Sequence, residues 1–215
     1  QGLAVWGKTE SSQNSSFQLQ KARAAMRRDL LGASRVELET AGPLWFLSCT
    51  TPEGGQAQFD DGRPFWQRNV LYYLATPTNH DSLFDGDCGN SPDLCSHKLL
   101  IRKVVDTGPA TTATGLEINQ EVLMSVTDMR ALATPPDGLY PTPEREDIES
   151  VSVVALGLLS MSVEVDPKGV SPGEVEVTMK AFDLTKTNEK VRLGKDDLHQ
   201  SQLTEELKFS VFLPD

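Results

Sequence analysis

Leu19, Ala22, Met26, Leu30 and Ala33 recur at steps of three and four residues, the spacing that lines up side chains along one face of an α-helix. Gln18, Gln20, Lys21, Arg23, Arg27 and Arg28 lie between them and suit an exposed face. No proline interrupts residues 3–36, so the pattern predicts one long helix there, weakest from Ser11 to Ser16. At ~1.5 Å per residue it would extend ~50 Å, more than a body of this size needs, so part of it is expected to project. Leu3, Val5 and Trp6 at its start are apolar with nothing local to cover them.

Beyond residue 37 the pattern changes to strand and loop. Pro43 to Thr50 and Asn69 to Thr76 are rich in aromatic and branched residues, and Leu99 to Val105 is the expected partner of the second across a long loop. Ile118, Val122, Val126 and Met129 predict a second, shorter helix, and four prolines between Pro135 and Pro143 predict an extended linker. Further on, Leu159, Met161, Val163 and Val165 alternate with Ser160, Ser162 and Glu164. Val175, Val177 and Met179 alternate with Glu174, Glu176, Thr178 and Lys180. Leu207, Phe209, Val211 and Leu213 alternate with Lys208 and Ser210. Three such strands predict an antiparallel sheet with one wet face and one face covered by the long helix.

With 215 residues, 38% hydrophobic and 24% charged, the chain fits one globular domain and argues against disorder. Two segments of a single structural unit are expected: residues 1–37 as helix and residues 38–215 as a β-rich body. The longest apolar run, Val153 to Leu159, is far short of the ~20 residues that span a bilayer, and no cleavable signal opens the sequence. A net charge of −11 makes nucleic acid a poor partner. The charge is uneven. Six basic residues (Lys8, Lys21, Arg23, Arg27, Arg28, Arg35) and three acidic ones (Glu10, Asp29, Glu37) give residues 1–37 a net +3, leaving −14 on the rest. Such a pairing favours head-to-tail association of like subunits within the ~8 Å that physiological salt allows; a solvated helix face is the plainer reading.

The sequence contains no G-x-S-x-G, H-E-x-x-H, phosphate-binding loop or dinucleotide fingerprint. None of the three histidines (His80, His97, His199) has a second at helical or metal-ligand spacing. The acidic pairs Asp60–Asp61 and Asp196–Asp197 sit in polar runs that read as solvated surface, so a glycosidase dyad has little behind it. Neither catalytic residues nor a cofactor nor a metal ligand set is assigned. Cys88 and Cys95 bracket CGNSPDLC, a Gly- and Pro-containing loop that can turn back on itself, and a disulfide there suits an extracytoplasmic protein. A metal pair would lack further soft ligands, and Cys49, inside an apolar strand, reads as a buried thiol. The same loop holds Asp81, Asp85, Asp87 and Asp93 with no Lys or Arg; it departs from the spaced calcium-loop pattern, so a solvated acidic loop is preferred over calcium.

The segment QGLAVWGKTESSQNSSFQLQKARAAMRRDLLGAS resembles the stretch that follows the membrane-spanning half of the first helix in type IV pilin-like proteins. Within them it is most similar to larger minor pilins and the J-type pseudopilins of type II secretion. The pattern rests on Gln20, Ala22, Arg23, Ala25, Arg28, Asp29 and Leu30, with slightly altered spacing. DIESVSVVALGLLSMSVEVDP, GEVEVTMKAFD and LKFSVFLPD resemble the closing strands more loosely. The resemblance implies an α+β, type IV pilin-like fold: a long N-terminal helix packed on an antiparallel sheet, with an inserted disulfide loop and a second short helix. It implies a non-enzymatic structural subunit of a type IV pilus or type II secretion-like filament, assembling through that helix with other pilin or pseudopilin subunits. It also implies an extracytoplasmic place, in the periplasm or on a surface filament, and anchorage in the inner membrane by a helical half preceding Gln1. The alternative is a surface-exposed adhesive or ligand-binding module contacting a receptor or glycan; a periplasmic hydrolase ranks third.

Overall fold

The computed structural model describes residues 2–38, 42–51, 55–84, 95, 97–107, 121–166, 173–182 and 204–213 and, in the first helix, side chains from Asn14 onward. The element order is α1 (Gly2–Leu30), β1 (Ala33–Leu38), β2 (Leu44–Ser48), β3 (Arg68–Ala75), α2 (His80–Leu83), β4 (Leu99–Val105), α3 (Val126–Leu132), β5 (Ile148–Leu156), β6 (Leu158–Val165), β7 (Glu174–Phe182) and β8 (Thr204–Phe212). The strands form two antiparallel sheets, one of five in the order β1-β2-β3-β4-β5 and one of three in the order β6-β7-β8.

This corrects the expected pilin-like α+β fold, a long helix laid on one antiparallel sheet. The body is mostly antiparallel β in two sheets, and α2 and α3 are short. The five-stranded sheet is apolar on both faces, which is why β2 is buried along its whole length and β3 along most of it. Leu44, Phe46, Val70, Tyr72 and Leu100 face a core shared with α1 and the smaller sheet. On the other face Trp45, Leu71, Tyr73, Leu99, Ile101 and Val105 meet Met129 and Leu132 of α3.

The first helix stops at Leu30 rather than near residue 36, and Ala33 begins β1. Gly32 marks the boundary. A Cβ there would lie 3.0 Å from Thr50 Oγ1, just past β2, a tight contact that a larger residue could make only if the threonine side chain gave way. The predicted second helix is also shorter. Val122 is 73% exposed and precedes the helix, Ile118 lies outside the described residues, and α3 starts at Val126 behind Ser125, whose hydroxyl accepts from the Asp128 amide.

The three alternating segments make up the smaller sheet, with Val175, Val177, Met179, Phe209 and Val211 turned to the core. In β6 the register shifts between Leu158 and Ser160, so Leu158 rather than Leu159 is fully buried, and Val165 is 37% exposed. The chain passes from the larger sheet to the smaller through Gly157 alone, at φ +69°, a backbone conformation that glycine adopts without a Cβ clash. Along the seam of the two sheets α1 packs against β5, β7 and β8.

Candidate functional site

Helix α1 has two unlike faces. Leu19, Ala22, Met26 and Leu30 are buried, as is Ala33 just beyond on β1, so the apolar residues of the predicted stripe share one core although the last is not helical. Opposite them Gln20, Lys21, Ala24, Arg27 and Arg28 are exposed, Phe17 is 63% and Leu31 50% exposed, and Arg23 is half-buried. Arg27 and Arg28 occupy the last turn, where the negative end of the helix dipole favours cations.

Asp29, between those arginines and Leu30, turns inward. It is buried, and its Oδ2 accepts from Tyr72 Oη of β3 at 2.7 Å and from Arg102 Nε of β4 at 2.5 Å, while Oδ1 accepts from Arg28 Nε at 3.0 Å. Burial opposes the charge on Arg102, but the Asp29 carboxylate and the Tyr72 phenol beside it outweigh that and hold its pKa above the usual value. Burial, then the Asp29 charge and hydrogen bond, push the Tyr72 phenol well up. A second tie joins Gln18 Oε1, as acceptor, to the Leu156 amide at the end of β5, 3.1 Å away. In the sequence Asp29 stands out only as part of the pattern that ends the first helix. Its place three residues after Met26, on the flank of the apolar stripe, is the signal that an acid there turns inward.

The cysteine loop is described only at its edges. Cys95 is disulfide-bonded and Cys49 is a free, buried thiol whose pKa burial pushes up. Cys88, the expected partner, and Asp85, Asp87 and Asp93 lie outside the described residues, as does His199; Asp81 is described and exposed. The structure brings together two histidines that sequence spacing left apart. His80, at the start of α2, and His97, two residues before β4, face each other with Nδ1 atoms 3.1 Å apart. His97 is buried, Phe84 stacks on its ring at 5.1 Å between centroids, and its amide donates to Cys95 Sγ at 3.4 Å. His80, Cys95 and His97 place potential ligand atoms within 4.8 Å of one another, and the Asp81 Oδ1 is 3.1 Å from His80 Nδ1. The available signal was the C-x-H spacing of Cys95 and His97, with the other histidine just ahead of the disulfide loop.

Other buried polar groups fasten the elements. Lys103 Nζ donates to the Leu132 carbonyl and Thr134 Oγ1, and burial lowers its pKa; Arg68 Nε donates to Glu149 at 2.6 Å. Of the acidic pairs, Asp60 and Asp61 are exposed, with Asp61 paired to Arg63, and Asp196 and Asp197 fall outside the described residues. Among the described residues no helix is long and apolar enough to cross a membrane. Compared with known proteins, the chain matches no family model, no curated protein and no solved structure.

Proposed function

We propose that this chain is the globular part of a structural subunit of the minor pilin or pseudopilin kind, which builds a type IV pilus or type II secretion-like filament through its N-terminal helix. The observation that carries this reading is the outer face of α1: Lys21, Arg27 and Arg28 exposed between Phe17 and Leu31, opposite the stripe already spent on the core. Two exposed large apolar side chains bracketing three cations suit contact with a second subunit more than contact with water alone. The rest of the chain carries −14 against the +3 of residues 1–37, so a neighbour's body offers the complementary charge. The subunit works by assembly and not by catalysis. The disulfide at Cys95 suits an extracytoplasmic place.

The test is recovery from sheared surface filaments of the producing cell. The wild-type protein should sediment with the filaments, and the combined change Phe17→Asp, Arg27→Glu and Arg28→Glu should leave it at normal abundance but absent from them. A wild-type protein found only outside filaments, or a variant that enters them equally, contradicts the reading.

A further inference from the structure

Tyr140 is 93% exposed, more than any other large apolar side chain among the described residues. It stands on a loop that is held in shape before any partner arrives. Four prolines between Pro135 and Pro143 restrict the backbone on either side of it, and Ala133 and Leu139 pack on the α3 side of the five-stranded sheet. Thr134 Oγ1 donates to Glu144 Oε2 at 3.2 Å and draws the ends of the loop together, while the Thr78 amide donates to the Pro136 carbonyl at 3.0 Å. A loop so constrained loses little freedom on binding. Residues 135–147 carry four acidic side chains and one basic one. Arg145 is taken up by Asp147 at 2.6 Å, whereas Asp137, Glu144 and Glu146 are exposed and form no ion pair among the described residues.

The outer face of α1 is the complement. Phe17 and Leu31 are exposed there, and the exposed Lys21 and Arg27 form no ion pair among the described residues. α1 covers the other side of the same sheet, the side of Phe46 and Tyr72, so one chain does not bring its helix face to its own loop. A second copy can. We propose that the Tyr140 loop of one copy docks on the outer face of α1 of the next, with Tyr140 against Phe17 and the loop acids against Lys21 and Arg27. Tyrosine and arginine are the side chains that most often anchor interfaces, and a guanidinium over a phenol ring adds attraction. Because the two patches differ and lie on opposite sides of the sheet, the contact is head-to-tail and repeats from copy to copy rather than ending at a symmetric pair. The inference rests on the reading of α1 as an assembly face and supplies the surface that meets it.

The chain is sedimented at rising concentration in ~0.01 M salt, where charges act over ~30 Å. Its average mass should climb past that of a dimer, and ~1 M salt should return it to the monomer. A helix variant (Lys21→Glu with Arg27→Glu) and a loop variant (Tyr140→Ser with Glu146→Lys) change exposed side chains and should melt with the parent. Each should nevertheless self-associate about 10-fold or more weakly. Mixed in equal amounts they should form a dimer and stop there, because the intact loop of the first fits the intact helix of the second. Should either variant melt early, a photo-crosslinking amino acid in place of Tyr140 decides instead, and irradiation should join it to residues 17–31 of a second copy. A wild-type chain that stays monomeric, a mixture that yields no dimer, or crosslinks only elsewhere overturns the docking. Weakened association in the helix variant alone overturns the loop and leaves α1 as an assembly face; no weakening in either variant overturns both.

Discussion

Replacing Asp29 by alanine would leave Arg102, whose side chain is only 21% exposed, without its carboxylate and the buried Tyr72 hydroxyl without its acceptor. Breaking a buried pair from one side costs about 3 kcal/mol or more, because the remaining charge stays desolvated. Asp29→Ala should therefore lower the denaturation midpoint sharply, and Asp29→Asn less, since the amide oxygen still accepts from Tyr72. Equal midpoints for wild type and Asp29→Ala would mean that the anchor does not hold α1 down. The tyrosines give a pH dependence. Burial raises the phenols of Tyr72 and Tyr73 above their ordinary value of 10.0, helped by Asp29 for the first and Glu144 for the second. Above that pH the unfolded chain releases phenol protons that the folded chain keeps, so stability falls as pH rises, by about 1.4 kcal/mol per pH unit for each group. Tyr73→Phe, which gives up one hydrogen bond to the Thr134 carbonyl, should make that alkaline decline shallower in pH-dependent denaturant melts.

At the scale of elements, the seam under α1 is the part most open to test. Met26 is fully buried among residues of both sheets, so Met26→Asp places a carboxylate where nothing pairs with it and should cost about 3 kcal/mol or more. A variant that melts with the parent would remove Met26 from the core. The inward positions of β7 and β8 were legible because each strand has one wet face and alternates strictly. β2 and β3 were legible as apolar runs, although their burial on both faces depends on α3 and cannot be read locally. Two strands were hidden for identifiable reasons. Ala33 falls three residues after Leu30 and so continues a helical count that Gly32 in fact ends, which absorbed β1 into the helix. β5 lacks clean alternation, and its pairing with β4 shifts register twice, so its own periodicity shows only an apolar run at its end, and the loose resemblance to closing strands was the one pointer to a strand there. The histidine pair was hidden for a third reason: only the path from α2 to β4 brings His80 and His97 together.

For the molecule as a whole, the single-sheet reading failed because strand patterns report faces and not partners; the passage through Gly157 that divides β5 from β6 occupies one residue. The redox arrangement is checked by counting thiols in the unfolded, unreduced protein. One free thiol, mapped to Cys49, is expected, and it should be unreactive in the folded chain because burial keeps it protonated and covered. Three free thiols, or a cross-linked peptide containing Cys49, would refute the pairing. Assembly through the outer face of α1 is tested most directly by placing a photo-crosslinking amino acid at Lys21, an exposed position midway along the described helix face, and irradiating intact filaments. Filament assembly predicts a covalent adduct between this chain and a neighbouring subunit, lost when Arg27 and Arg28 are reversed to glutamate. Irradiated filaments that contain the chain but yield only uncoupled monomer would contradict it.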